Sequence, residues 1–127
     1  MQEPLVYEYA VIRLLPQVER DEFFNVGLVL FCKRKKYIRM AFHFEEAKFA
    51  LFKSELTAEQ VVQNLIAFER ISLGDRDAGR IAQEEAAERF RWLTAVRSSC
   101  IQTARPHPGL CHDLDATFER LFEELVR

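Results

Sequence analysis

The chain has 127 residues, 49% of them hydrophobic and 30% charged, with only four Gly and four Pro. That is the balance of one globular domain, long enough to bury roughly two-thirds of its unfolded surface. A formal net charge of -2 and a pI near 5.9 exclude a global pull toward nucleic acid or an anionic membrane.

Eleven Phe, against one Trp and three Tyr, predict a core built heavily from phenylalanine. The N-terminal Met-Gln-Glu-Pro-Leu-Val lacks the basic start and apolar centre of a signal peptide. The longest apolar run, Val26 to Cys32, falls far short of the roughly 20 residues needed to span a bilayer. Cys32, Cys100 and Cys111 are odd in number, widely spaced and free of any Cys-x-x-Cys, the pattern of reduced thiols. A cytoplasmic protein is expected.

Leu5 to Leu15 reads as a first strand rich in β-branched and aromatic residues, ended by Pro16. After a polar loop, Val26 to Cys32 is apolar at every position, as suits a strand buried on both faces inside a sheet. Lys33 to Lys36 is a solvated turn, and Tyr37 to Phe44 alternates, with Ile38, Met40, Phe42 and Phe44 on one face and Arg39 and His43 on the other. The two patterns make an antiparallel hairpin. From Glu45 the period changes, and Ala47, Leu51 and Phe52 suggest a short helix. Thr57 and Gln60 form a capping box ahead of Val61, Val62, Leu65, Ile66 and Phe68, and Gly74 is the stop. A third helix is expected from Arg80 or later to about Thr94, weak in its first half because Gln83, Glu84, Glu85 and Glu88 leave little to bury. Ser98 to Ala104 reads as an edge strand and Pro106 to Gly109 as a turn. Asp113 or Asp115 caps a last helix whose Leu114, Phe118, Leu121, Phe122 and Leu125 form one stripe. The expected fold is α+β: a small, mainly antiparallel sheet of three to four strands, strand two central, packed against three to four helices on the face bearing Ile38, Met40, Phe42 and Phe44.

Chemistry is sparser. Cys111-His112-Asp113 are consecutive, and consecutive side chains diverge, whereas a nucleophile, base and orienter converge from separate elements. Three His and three Cys fall at no ligand spacing, and Gly74-Asp-Arg-Asp-Ala-Gly79 fits neither phosphate-binding fingerprint. No catalytic residue, metal or cofactor is therefore expected, and the balance leans away from an enzyme. Two places remain as candidate contact surfaces. One is the loop with Arg20, Glu22 and Asn25, facing Arg13 on strand one, where Glu22 pairs with either arginine or Asn25 caps the turn unless these groups meet a ligand. The other is the arginine-rich stretch of Arg89, Arg91, Arg97 and Arg105 with Trp92, suited to an anion or an acidic partner unless it pairs with nearby glutamates. The binding residues expected are Arg13, Arg20, Glu22, Asn25, Arg91 and Arg97. The basic turn Lys33 to Lys36 offers a weaker nucleic-acid reading.

Tyr9-Ala-Val-Ile-Arg13, Glu22-Phe-x-Asn25-Val-Gly27-Leu-Val-Leu, Arg89-Phe-Arg-Trp-Leu and Leu121-Phe-Glu-Glu-Leu together resemble the bacterial family called domain of unknown function 3037, over nearly the whole chain. The Glu-Phe-x-Asn-Val-Gly segment is the most specific part. The resemblance implies a small standalone bacterial protein, often encoded beside HipA-like kinase-fold proteins, and hence a partner or regulatory subunit; it carries over no catalytic residue. A non-enzymatic interaction or regulatory subunit of a HipA-like kinase or a toxin-antitoxin-like system is the leading expectation, with a binding protein or small enzyme for an anionic metabolite as the alternative.

Overall fold

The structure, a computed structural model, describes residues 3–127. Strands β1 (Leu5–Leu14), β2 (Phe24–Cys32) and β3 (Tyr37–Phe42) form an antiparallel meander. The β2–β3 turn closes through the Lys36 N–H to Lys33 O at 3.2 Å, with Lys36 left-handed at φ 50. On the far edge of β1, β4 (Ile101–Thr103) pairs with Ile12 to Leu14 and β5 (His107–Cys111) with Leu5 to Tyr9. The two are halves of one bent edge strand, their registers one residue out of step, with Ala104 N–H donating to Val11 O between them at 2.8 Å. Every strand pair is antiparallel, and β2 lies inside the sheet, between β3 and β1.

The expected turn at Pro106 to Gly109 is corrected, since His107, Pro108 and Gly109 belong to β5. Proline is tolerated in that strand because β5 pairs with β1 alone and is an edge. Gly109 serves packing: a Cβ there would lie 2.4 Å from Cζ of Tyr7, whose ring rests against the glycine backbone.

Helix α1 (Glu46–Phe49) is a single turn that buries Phe49 and leaves Leu51 outside. Helix α2 (Ala58–Leu73) carries both bonds of the Thr57–Gln60 capping box, at 2.9 and 3.1 Å, and ends on Gly74 at φ 71. Helix α3 (Ala86–Leu93) starts late within the expected range, after two 3-10 turns at Arg76–Ala78 and Ile81–Gln83. The late start has a cause: Gln83, Glu84 and Glu85 are all exposed, so no burial would stabilise a helix there. Helix α4 (Leu114–Leu125) is capped by Asp113, which accepts from Ala116 N–H at 3.0 Å.

The helices do not share one face of the sheet. Helices α2 and α3 cover the side bearing Ile38, Met40 and Phe42, in a core with Ala10, Ile12, Leu14, Val29 and Phe31. Helix α4 lies on the opposite side, where Leu114, Phe118, Leu121 and Phe122 pack on Leu5, Tyr7, Leu28, Leu30 and Cys32. A strand apolar at every position, such as β2, needs cover on both faces, and α4 supplies the second. Arg39 and Tyr37 on β3 fasten it, through Asp115 and Glu119. Among the described residues, no helix is long and apolar enough to cross a membrane.

Candidate interaction surface

The six expected contact residues fall in four places. Arg13 and Asn25 are cross-strand partners next to a bulge that leaves Val26 unopposed in β2. The Arg13 guanidinium carbon sits 4.3 Å from the centre of the Phe23 ring. Asn25 Nδ2 donates to Leu125 O at 2.9 Å, so this side chain satisfies a carbonyl of the last turn of α4 rather than capping the turn into β2. Arg20 and Glu22 pair with each other beside a cavity of about 250 Å³ lined in part by Pro16 and Phe52. An exposed pair of that kind contributes about 0–1 kcal/mol, which fits the structural reading of this loop. Arg91 is paired with Glu88 at 2.9 Å, one turn back on α3, with both side chains in solvent.

Arg97 differs from these five. It follows α3 in the loop before β4, and its guanidinium lies 4.6 Å from the Trp92 ring and 5.1 Å from the Phe68 ring. Phe68 and Trp92 meet edge to face at 6.0 Å, so a helix α2 side chain and a helix α3 side chain form one aromatic corner that the cation covers. Arg97 Nη2 also donates to Trp92 O, near the C-terminal end of α3, where a cation is favoured. Burial pulls its pKa below the usual arginine value, though far too little to discharge it near neutral pH. Among the described residues no carboxylate lies within ion-pairing distance of Arg97. Trp92 keeps 39% of its surface, and Val96, next to Arg97 in the chain, is wholly exposed. A fixed cation on an accessible tryptophan has the composition of a binding hot spot.

Trp92 already belongs to the arginine-rich stretch read from the sequence, whereas Val96 stands out only in the fold. Phe68, the ring that orients Trp92, is separated from it by a helix end and two 3-10 turns, so no local spacing announces the corner. Arg89, by contrast, leaves the cluster: it donates to the carbonyls of Glu84, Ile71 and Ser72 and so caps the end of α2.

Cys100 and Asp113 are both engaged inside the fold. Burial, then a hydrogen bond to Glu55, pushes the Cys100 thiol up to about 11, the opposite of an activated nucleophile. Asp113 is engaged as the α4 cap, not beside His112. Among the described residues, no three His, Cys, Asp or Glu side chains gather to hold a metal ion.

A family model described as "Protein of unknown function (DUF3037)" matches residues 9–126. Comparison with curated proteins gave no match, and neither did comparison with solved structures. With nearly its whole length matched, the chain belongs to the DUF3037 family.

Proposed function

We propose that this chain is a non-enzymatic interaction or regulatory subunit of the bacterial cytoplasm, docking a partner protein on the Arg97–Trp92 surface. The observation that supports it is the Arg97 guanidinium, held on two rings with no carboxylate of its own. An aspartate or glutamate of the partner would complete a forked, charge-assisted pair, and Trp92 with Val96 would supply the apolar area around it. A HipA-like kinase-fold protein is the first partner to try, as the family resemblance implies.

The test is co-purification of the tagged chain with such a protein encoded beside it, repeated from nuclease-treated native lysate. A one-to-one complex is expected, and Val96→Asp should weaken it by roughly 30-fold, the effect of losing a hot spot. Val96 is wholly exposed, so the variant keeps the parent's melting temperature. A complex unaffected by Val96→Asp and by Trp92→Ala would move the interface elsewhere. Recovery of the chain alone in both settings would sink the reading.

A further inference from the structure

Among the described residues, one corner of the sheet face that α2 and α3 cover stays open. Val6 and Glu8 continue the row in which Ala10, Ile12 and Leu14 are buried, yet both are exposed, as is Leu110, the β5 partner of Val6. Two hollows of about 340 and 670 Å³ lie there, and Phe31 and Lys33 line both. Each falls within the roughly 300–1,000 Å³ of small-ligand sites. The shared floor is firm, because the Phe31 ring is backed by Phe90 at 5.0 Å.

The cations outnumber the carboxylates in the smaller hollow. The smaller hollow gathers Lys33 and Lys36 from the hairpin tip, and among the described residues neither has a carboxylate within ion-pairing distance. Beyond Phe31, the larger hollow turns apolar along Pro4, Val6 and Tyr7. Glu85 lines the smaller hollow with Lys33, Lys36 and Arg89, and Glu3 and Glu8 line the larger with Arg34. A polyanion laid along the trough would meet all three carboxylates, so nucleic acid is a poor match. A ligand with one anionic head in the smaller hollow and an uncharged tail sets its charge where the cations outnumber the carboxylates.

We infer that the trough is a binding site for a small amphiphile with a single carboxylate head, of the medium-chain fatty-acid class. Lys33 and Lys36 take the head, and the tail crosses Phe31 onto Val6 and Leu110. The site is independent of the proposed partner surface: it meets α3 at Ala86 and Ala87, whereas Trp92 lies on the far flank of that helix.

The probe is decanoate below its micelle concentration, titrated into the full chain and followed by methyl NMR. Saturable shifts at Val6, Leu110 and Ala87 are expected below about 1 mM, with the Trp92 indole unmoved. Decanol in place of decanoate, and Lys33→Gln/Lys36→Gln in place of the parent, should each bind about tenfold more weakly, since the charge-assisted bonds to the head are lost. Val6→Asp should abolish the shifts. The lysines and Val6 are exposed, so these variants fold, as circular dichroism will verify. The inference is overturned if no methyl moves up to about 1 mM, or if decanol and the double variant bind as tightly as the reference pair. It is equally overturned if an apolar heptapeptide with a free carboxylate binds there and decanoate does not, which would make the trough a peptide dock.

Discussion

Gly109→Ala tests the placement of β5 more sharply than any other single change. A Cβ at this position would lie 2.4 Å from both Cζ and Oη of Tyr7 and 2.8 Å from Cε1, so the ring or the strand must move. Tyr7 has little room: it is 6% exposed and belongs to the cluster with Leu5, Leu28, Leu30 and Phe118 beneath α4. Overpacking of that kind costs about 1–3 kcal/mol, and we expect about 2 here because a rigid ring, not a flexible chain end, stands in the way. Tyr7→Leu removes the obstructing ring atoms. In that background Gly109→Ala should cost nothing or stabilise by about 0.5 kcal/mol, since alanine loses less backbone freedom on folding than glycine. The coupling between the two sites is therefore about 2 kcal/mol. The four proteins are compared by urea unfolding, with far-ultraviolet dichroism and Trp92 fluorescence as paired probes. In a chain of this size Gly109→Ala alone should lower the melting temperature by on the order of 8 °C. An equal cost in both backgrounds would show that Tyr7 does not lie on Gly109, and a cost near zero in both would return residues 106–109 to a mobile turn.

Asn25→Ala should destabilise by about 1 kcal/mol by losing the bond to Leu125 O. Asn25→Asp should cost more, because a carboxylate would face that carbonyl and the negative end of α4; hydrogen exchange confined to the last turn of α4 is the readout, and unchanged protection there would refute the role. Desolvation, then the hydrogen bond to Asp115, pushes the Tyr37 phenol up to about 12, above its usual value of about 10. A raised folded-state pKa means that its stabilisation is whole below about pH 10 and is lost as the pH climbs toward about 12. The stability gap between the parent and Tyr37→Phe should hold to about pH 10 and then narrow, and a gap that widens would contradict the Tyr37–Asp115 bond. Iodoacetamide near pH 8 should label Cys111, which is half-exposed, and spare the buried Cys32 and Cys100 until denaturant is added; rapid native labelling at Cys100 would mean that its wall opens.

The sequence showed the elements whose signals are local. Thr57 and Gln60 are three residues apart and complete each other's bonds, and Asp113 stands directly before the α4 stripe, so both caps are visible without a fold. β5 was hidden because Pro108 and Gly109 are turn formers by propensity, and what makes them strand residues is Tyr7, far away in the chain. The side of the sheet taken by α4 was equally non-local, although the unbroken apolar run of β2 already required cover on both faces. Of the candidate surface, Arg97 was legible as an arginine near a tryptophan. Its second ring, Phe68, comes from another helix, and the trough depends on the pairing of Val6 with Leu110 from opposite ends of the chain.

The segment that most specifically carries the family resemblance is itself accounted for by architecture. Glu22 pairs with Arg20, and Phe23 receives the Arg13 cation. Asn25 holds the end of α4. Val26 is the fully buried residue of the bulge, and at Gly27 a Cβ would come within 2.9 Å of Ala41 O on the neighbouring strand. Each residue therefore has a structural partner inside the chain: the motif joins the bulged strand pair to α4. Its polar groups, Glu22 and the Asn25 Nδ2, each have one partner inside the chain. The groups left with something to offer lie elsewhere, in an arginine stacked on rings and two lysines at the head of an apolar trough. The Glu22 to Gly27 segment thus ties the bulged strand pair to α4, and substitutions that test the two proposed surfaces go to Arg97, Trp92, Lys33 and Lys36.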